Sequence, residues 1–212
     1  MLEKTTTRPP QPASLPGFEH LQRFWEPDTK RWTLKILPGE YYVARGDEAI
    51  TTVLGSCISA CIRDSVAKVG GMNHFMLPED GALRDSEPFG LATRYGSYAM
   101  ETLINDLLKL GALRSRLEIK LFGGGRVLTS MTDVRAGNIK FVQDYLSLEG
   151  LKIAASDLGG ELPRKIVYFT GAGRARVRIL GPIENRSIAH REQIYQPSFP
   201  KRDAGGDVEL FT

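Results

Sequence analysis

Between Glu40 and Leu180 the chain breaks far more often into short apolar runs than it sustains a helical period. The stretches "EYYVAR", "ITTVL", "CISACI", "MNHFML", "LEIKLF", "LKIAASD", "KIVYF" and "RARVRIL" all read as strands separated by turn residues. Only two stretches keep helical spacing. In "SYAMETLINDLLKLGA", Met100, Leu103, Ile104, Leu107 and Leu108 recur every three or four residues, and Gly111 marks a stop. In "GNIKFVQDYLSLEG", Ile139, Val142, Tyr145 and Leu146 share a face, with Asn138 placed to cap and Gly150 to terminate. Many strands, two helices and no regular alternation predict an α+β fold with a sandwich-like core of sheets flanked by helices.

The same pattern sets boundaries. Residues 1–37 are rich in Pro, Thr and charge and read as a flexible arm, in which "FEHLQRFW" supplies at most a turn or two docking Phe24 and Trp25. The folded domain spans 38–182, between the Pro38-Gly39 and Gly181-Pro182 turns, and 183–212 reads as a polar tail. No run of about 18 apolar residues exists, so membrane insertion is not expected, and the N-terminus lacks the apolar centre of a signal peptide. Two cysteines give no disulfide framework, which fits a reducing, cytoplasmic setting. A net charge of +3 without concentrated Lys/Arg blocks argues against a nucleic-acid partner.

Chemistry concentrates in "TTVLGSCISACIRD" and "GGMNHF". Of the three histidines, His20 falls in the arm and His190 in the tail, leaving His74 inside the domain on a short apolar strand. Cys61 sits in an apolar run and reads as a small buried hydrophobe. Cys57 follows Gly55-Ser56, a turn that can leave the thiol at a strand end beside backbone N–H groups suited to an oxyanion. An imidazole next to a thiol moves it toward thiolate, and a third group must orient that imidazole. Thr51 or Thr52 can do so through a hydroxyl or a carbonyl. The competing reading is two buried thiols and a satisfied core histidine. A metal centre is weaker still: the folded region offers three ligands where a closed zinc site takes four, and on a strand the two sulfurs lie roughly 13 Å apart.

Taken together, "LGSC" with a second cysteine and Asp64, then "GGMNHFMLP", "RYGSYAM", "KLFGGG", "GNIKFV", "DLGGELPRKIVYF" and "ARVRIL" resemble the CheD family of chemoreceptor glutamine deamidases over roughly residues 38–181. The resemblance implies a β-sandwich flanked by helices, a layered cysteine-hydrolase fold shared with toxins that deamidate glutamine. It implies an amidohydrolase that converts glutamines of methyl-accepting chemotaxis receptors to glutamate through a thioester, without a cofactor or metal. The family's Cys-His-Thr triad falls on Cys57, His74 and Thr51. Some members bind the phosphatase CheC, which makes it a candidate partner. A non-catalytic receptor- or CheC-binding adaptor, or a transglutaminase using the same Cys-His pair, are the alternatives.

Two further features carry expectations. "FGGG" (Phe122 to Gly125) lacks the Lys-Ser/Thr of a phosphate loop and reads as a side-chain-free turn beside the active site. Period-two alternation puts Arg174, Arg176 and Arg178 on one strand face, either solvated or docking acidic receptor helices. Asn73, next to His74 on a strand, points the other way and reads as structural.

Overall fold

The computed structural model describes residues 8–77, 91–126 and 132–181, together with 187, 188, 190 and 194. Two five-stranded sheets form the core. The first holds β1 (Gln22–Glu26), β2 (Arg31–Lys35), β4 (Ala49–Leu54), β9 (Arg164–Phe169) and β10 (Arg174–Ile179), in that spatial order. The second has the order β3 (Tyr41–Arg45), β6 (Val69–Asn73), β5 (Ile58–Asp64), β7 (Glu118–Gly123), β8 (Ile153–Leu158). Each sheet is antiparallel except for one parallel pair, β2 with β4 and β7 with β8. Helix α1 (Leu91–Lys109) packs on β3, β5 and β6, and α2 (Thr132–Leu148) packs against α1. The expected α+β sandwich with helices on a flank is what the chain forms.

Period-two patterning explains which side of each strand is inside. On β4, Ile50, Thr52 and Leu54 alternate with Ala49, Thr51 and Val53. Ile50 and Leu54 belong to the main core, whereas Val53 packs against Leu180 and Ile188 on the outer side of the first sheet. Helix α1 comes unusually close to the second sheet at Gly71, where a Cβ would stand 2.6 Å from Tyr42 O and 2.8 Å from Leu103 Cδ1. At its C-terminus, Ala112 N–H donates to Leu107 O (3.0 Å) and Gly111 N–H to Leu108 O (2.9 Å), with Gly111 at φ +97°. That left-handed turn closes the helix where the glycine predicted it.

Three expectations need correction. Residues 1–37 are not all a loose arm: from Leu15 onward the segment is part of the sandwich. Phe18 meets Tyr41 and Tyr42 edge-on at 5.3 and 5.1 Å. Arg23, almost fully buried, pairs with Glu48 and donates to Tyr42 Oη at 2.6 Å. Phe24 and Trp25, expected on a helical turn, lie on β1, which pairs with β2, and β2 in turn joins β4. Strand pairing and a buried ion pair anchor this segment, and neither shows in composition, which alone reads as a tail. His74 lies just beyond β6, not on it, and the ladder resumes only at an Ile58–Phe75 bridge. Asn138 caps nothing. It lies inside α2, because that helix begins at Thr132. Apart from Ile188 and its three described neighbours in sequence, the tail lies outside the described residues.

Candidate active site

The nucleophile and base candidates come together through one antiparallel register. Cys61 pairs with Met72 and Ile58 with Phe75, so Ser59 stands opposite His74. Ile58 exchanges both backbone hydrogen bonds with Phe75, each at 2.9 Å. Residues directly opposite in such a pair share a face, and alternation puts Cys57 on the face of Ser59 and Cys61. Cys57 and His74 are therefore diagonal neighbours on the side that faces the first sheet. Phe75 points the other way, onto Phe141 of α2, with ring centroids 6.0 Å apart.

The hydroxyl that meets His74 is that of Thr52. Its Oγ1 lies 2.8 Å from His74 Nδ1 and 2.8 Å from Ile36 O. A hydroxyl has one hydrogen, and the carbonyl of Ile36 can only accept, so Thr52 donates to Ile36 and must accept from the imidazole. His74 thus carries its proton on Nδ1, and Nε2 holds a lone pair. Among the described residues, Nε2 is buried and has no hydrogen-bond partner. Thr51 is not in this set: its hydroxyl donates to Ile166 O at 2.7 Å, and its carbonyl accepts from Ile36 N–H at 3.0 Å. Adjacent strand residues face opposite ways, and Thr52 shares the inward parity of Ile50 and Leu54.

The Gly55-Ser56-Cys57 turn is gripped from two sides. Gly124 N–H donates to Cys57 O (2.8 Å) and Gly125 N–H to Gly55 O (2.6 Å). Gly123 has φ +116°, and a Cβ there would collide with Cys57 O, so the side-chain-free turn packs on the backbone of the nucleophile. Gly123 O in turn accepts from Gly159 N–H (2.9 Å), and buried Arg164 holds that loop through Asp157 Oδ1 (2.6 Å) and Gly159 O. On the other side, Asn138 Nδ2 donates to Ser56 O at 3.0 Å. Asn73 is structural, as expected: its Oδ1 accepts from Ala60 N–H (2.8 Å) and its Nδ2 donates to Ala99 O (3.1 Å).

Burial governs the ionisation of Cys61 and of His74. Burial pushes the Cys61 thiol far up, which makes it inert. Burial also lowers His74 to about 3, so the imidazole rests neutral at physiological pH. Cys57 is 0% and His74 2% exposed, so both side chains are covered. Among the described residues no group of three or more His, Cys, Asp or Glu is gathered for a metal, and no helix is long and apolar enough to cross a membrane.

The predicted arginine face is present on exposed edge strand β10. The guanidinium carbons of Arg174 and Arg176 lie 5.7 and 5.5 Å from the Phe169 ring centroid, and that of Arg31 5.6 Å. A cleft of about 240 Å³ opens there between Asp28, Arg31, Asp47 and Phe169. Phe169 pairs with Ala49 at one end of β4, whereas Cys57 follows Leu54 at the other. This cleft contains neither cysteine nor histidine and is separate from the Cys57–His74 pair.

Relatives of the chain are numerous and named alike. A family profile described as "CheD chemotactic sensory transduction" matches residues 76–179. A protein of Halorhodospira halophila is 50% identical over 203 residues, covering 94% of each chain. The chain belongs to the CheD family. A CheD of Hydrogenovibrio crunogenus is 51% identical over 191 residues, covering 90% of this chain and 100% of its own. One of Hahella chejuensis is 47% identical over 202 residues, covering 95% and 96%. All three are called "Probable chemoreceptor glutamine deamidase CheD". Within this CheD chain, sequence reasoning missed Ile36 and Asn138. Only for Thr52 was there a usable signal, its parity with Ile50 and Leu54.

Proposed function

We propose that this CheD chain hydrolyses the side-chain amide of particular chemoreceptor glutamines, with Cys57 as nucleophile, His74 as general acid and base, and Thr52 orienting the imidazole. The observation that carries this reading is the hydrogen-bond direction at His74: Nδ1–H donates to Thr52 Oγ1, leaving a buried, unpartnered Nε2 on the face of Cys57.

His74 Nε2 takes the thiol proton as sulfur attacks the carboxamide carbon. Backbone N–H groups of the Gly55-Ser56-Cys57 turn are assigned to the oxyanion. The Nε2 proton passes to the leaving nitrogen and ammonia departs, leaving a thioester. Water then gives a proton to Nε2 and its oxygen to the acyl carbon. The carbon–sulfur bond breaks, the thiol regains the proton, and glutamate is released. Burial keeps the His74 imidazole neutral at rest. It also means that a glutamine reaches Cys57 only when the covering structure opens. The exposed Arg174/Arg176/Arg178 face is assigned to docking the acidic receptor surface, and the cytoplasm to the site of action. CheC is a further candidate partner.

The test is mass analysis of receptor cytoplasmic fragments after incubation with enzyme, each event adding roughly one mass unit. Gains at defined glutamines, absent with Cys57→Ala, support the proposal. Amine adducts in place of acids indicate a transglutaminase, and binding without mass change indicates an adaptor; either overturns it.

A further inference from the structure

A buried asparagine inside a helix is locally unfavourable, because its amide competes for backbone partners better met in turns and caps. Asn138 is fully buried in α2, yet both ends of its amide are bonded outside the helix. Oδ1 accepts from Leu77 N–H at 2.7 Å, and Nδ2 donates to Ser56 O at 3.0 Å. Those two partners are not arbitrary. Extending the register of the Ile58–Phe75 bridge by two residues places Ser56 opposite Leu77. In an antiparallel ladder, a pair two residues beyond a hydrogen-bonded pair is itself hydrogen-bonded. Leu77 N–H would therefore donate directly to Ser56 O, and Asn138 stands in that gap, satisfying both groups as a third peptide unit would. Ser56 precedes Cys57, and Leu77 follows His74 by three residues.

We propose that Asn138 is the positioning residue of the Cys57–His74 pair: its amide, inserted into the ladder, spaces the strand ends that carry the nucleophile and the base. On the far side of the pair the ladder is also interrupted by an asparagine, since Ala60 N–H donates to Asn73 Oδ1. The Ile58–Phe75 bridge thus lies between two amide insertions, and the reacting side chains project from the stretch they delimit. Ile139, the next residue of α2, packs on Gly124, whose N–H holds Cys57 O. The helix therefore fixes the nucleophile turn at two consecutive positions.

This inference rests on the deamidase reading above, so its test has one arm that depends on the reaction and one that does not. Asn138→Ala removes both bonds, and Asn138→Asp keeps the acceptor for Leu77 while losing the donor to Ser56. With receptor fragment as substrate, Asn138→Ala should lose about 100-fold in kcat, the scale of a small misplacement of reacting groups, with KM changed less than about twofold. Asn138→Asp should fall between it and wild type. Independently of any substrate, iodoacetamide labelling should show a lower ratio of Cys57 to Cys61 modification in both variants; the ratio cancels general opening of the fold. A folded Asn138→Ala enzyme with kcat within about threefold of wild type overturns the proposal. So does a kcat loss that merely tracks the unfolded fraction, or an unchanged labelling ratio. If Asn138→Ala does not fold, the same criteria apply to Asn138→Asp. If wild type itself fails to deamidate, the deamidase reading falls, and the labelling ratio alone decides whether Asn138 spaces the pair.

Discussion

Residues 15–36 and residues 49–77 contribute to the same site in opposite ways. The second region carries the reactive groups, and its strands are dense in β-branched and apolar residues whose alternation is plain. The first begins among prolines and carries two mostly polar strands, β1 at the sheet edge and β2 beside it, yet Ile36 O accepts from the Thr52 hydroxyl that meets His74 Nδ1. It also sends Arg23 between the sheets to Glu48 and Tyr42. A segment can thus reach a candidate site through one backbone carbonyl, a group that every residue possesses and no composition reveals.

The sharpest test of this contrast lies in the second region. Cys57→Ala and His74→Ala should each lower deamidation by about a thousandfold or more, while Cys61→Ala keeps most activity and costs about 1 kcal/mol of stability. A dead, folded Cys61 variant beside an active Cys57 variant would invert the assignment. Next in size is the threonine pair. Thr52→Val should lower kcat by about 10- to 100-fold and Thr52→Ser should recover much of it, whereas Thr51→Val should cost about 1 kcal/mol of stability and leave kcat within about twofold. Equal kinetic losses at both positions would remove the tautomer argument.

The first region is probed by Arg23→Met, which strands Glu48 in a largely buried place and should cost about 3 kcal/mol, read by denaturant unfolding. Turnover per folded molecule should stay near wild type; a fully stable variant would return this segment to the status of an appendage. The smallest effect expected is a pH dependence. His74 has a folded pKa below its unfolded value of about 6.5, so the unfolded chain takes up the proton first. Its contribution to stability is complete above about pH 6.5 and is lost as pH falls toward 3. Melting temperatures between about pH 6.5 and 4.5, above the range where most carboxylates titrate, should fall less steeply for His74→Gln than for wild type. Parallel slopes would show that His74 keeps its ordinary pKa in the fold.

Much of this was legible beforehand. Both helices end near the glycines that marked their stops, and Cys57 and His74 were separable from Cys61, His20 and His190 by their local sequence. The FGGG turn, expected free of side chains, has no room for one at Gly123, where a Cβ would collide with Cys57 O. The misreadings share a cause. Thr51 was chosen on a motif, although parity with Ile50 and Leu54 favours Thr52. Asn138 was read as a cap because asparagine is good at caps, and its real partners lie 61 and 82 residues away.

Local pattern determined what depends on neighbours in the chain: strand-rich α+β architecture, the inward side of each strand, and a thiol and an imidazole available to react. Tertiary structure decided what depends on partners brought from a distance: Thr52 rather than Thr51 at the histidine, the Ile36 carbonyl behind it, Asn138 in the ladder, and the complete burial of Cys57. The physical reason is that side-chain alternation follows from the geometry of one strand. The acceptor a hydroxyl or amide finds is set by register between strands and by helix packing, and backbone carbonyls and N–H groups look alike at every position until those are in place.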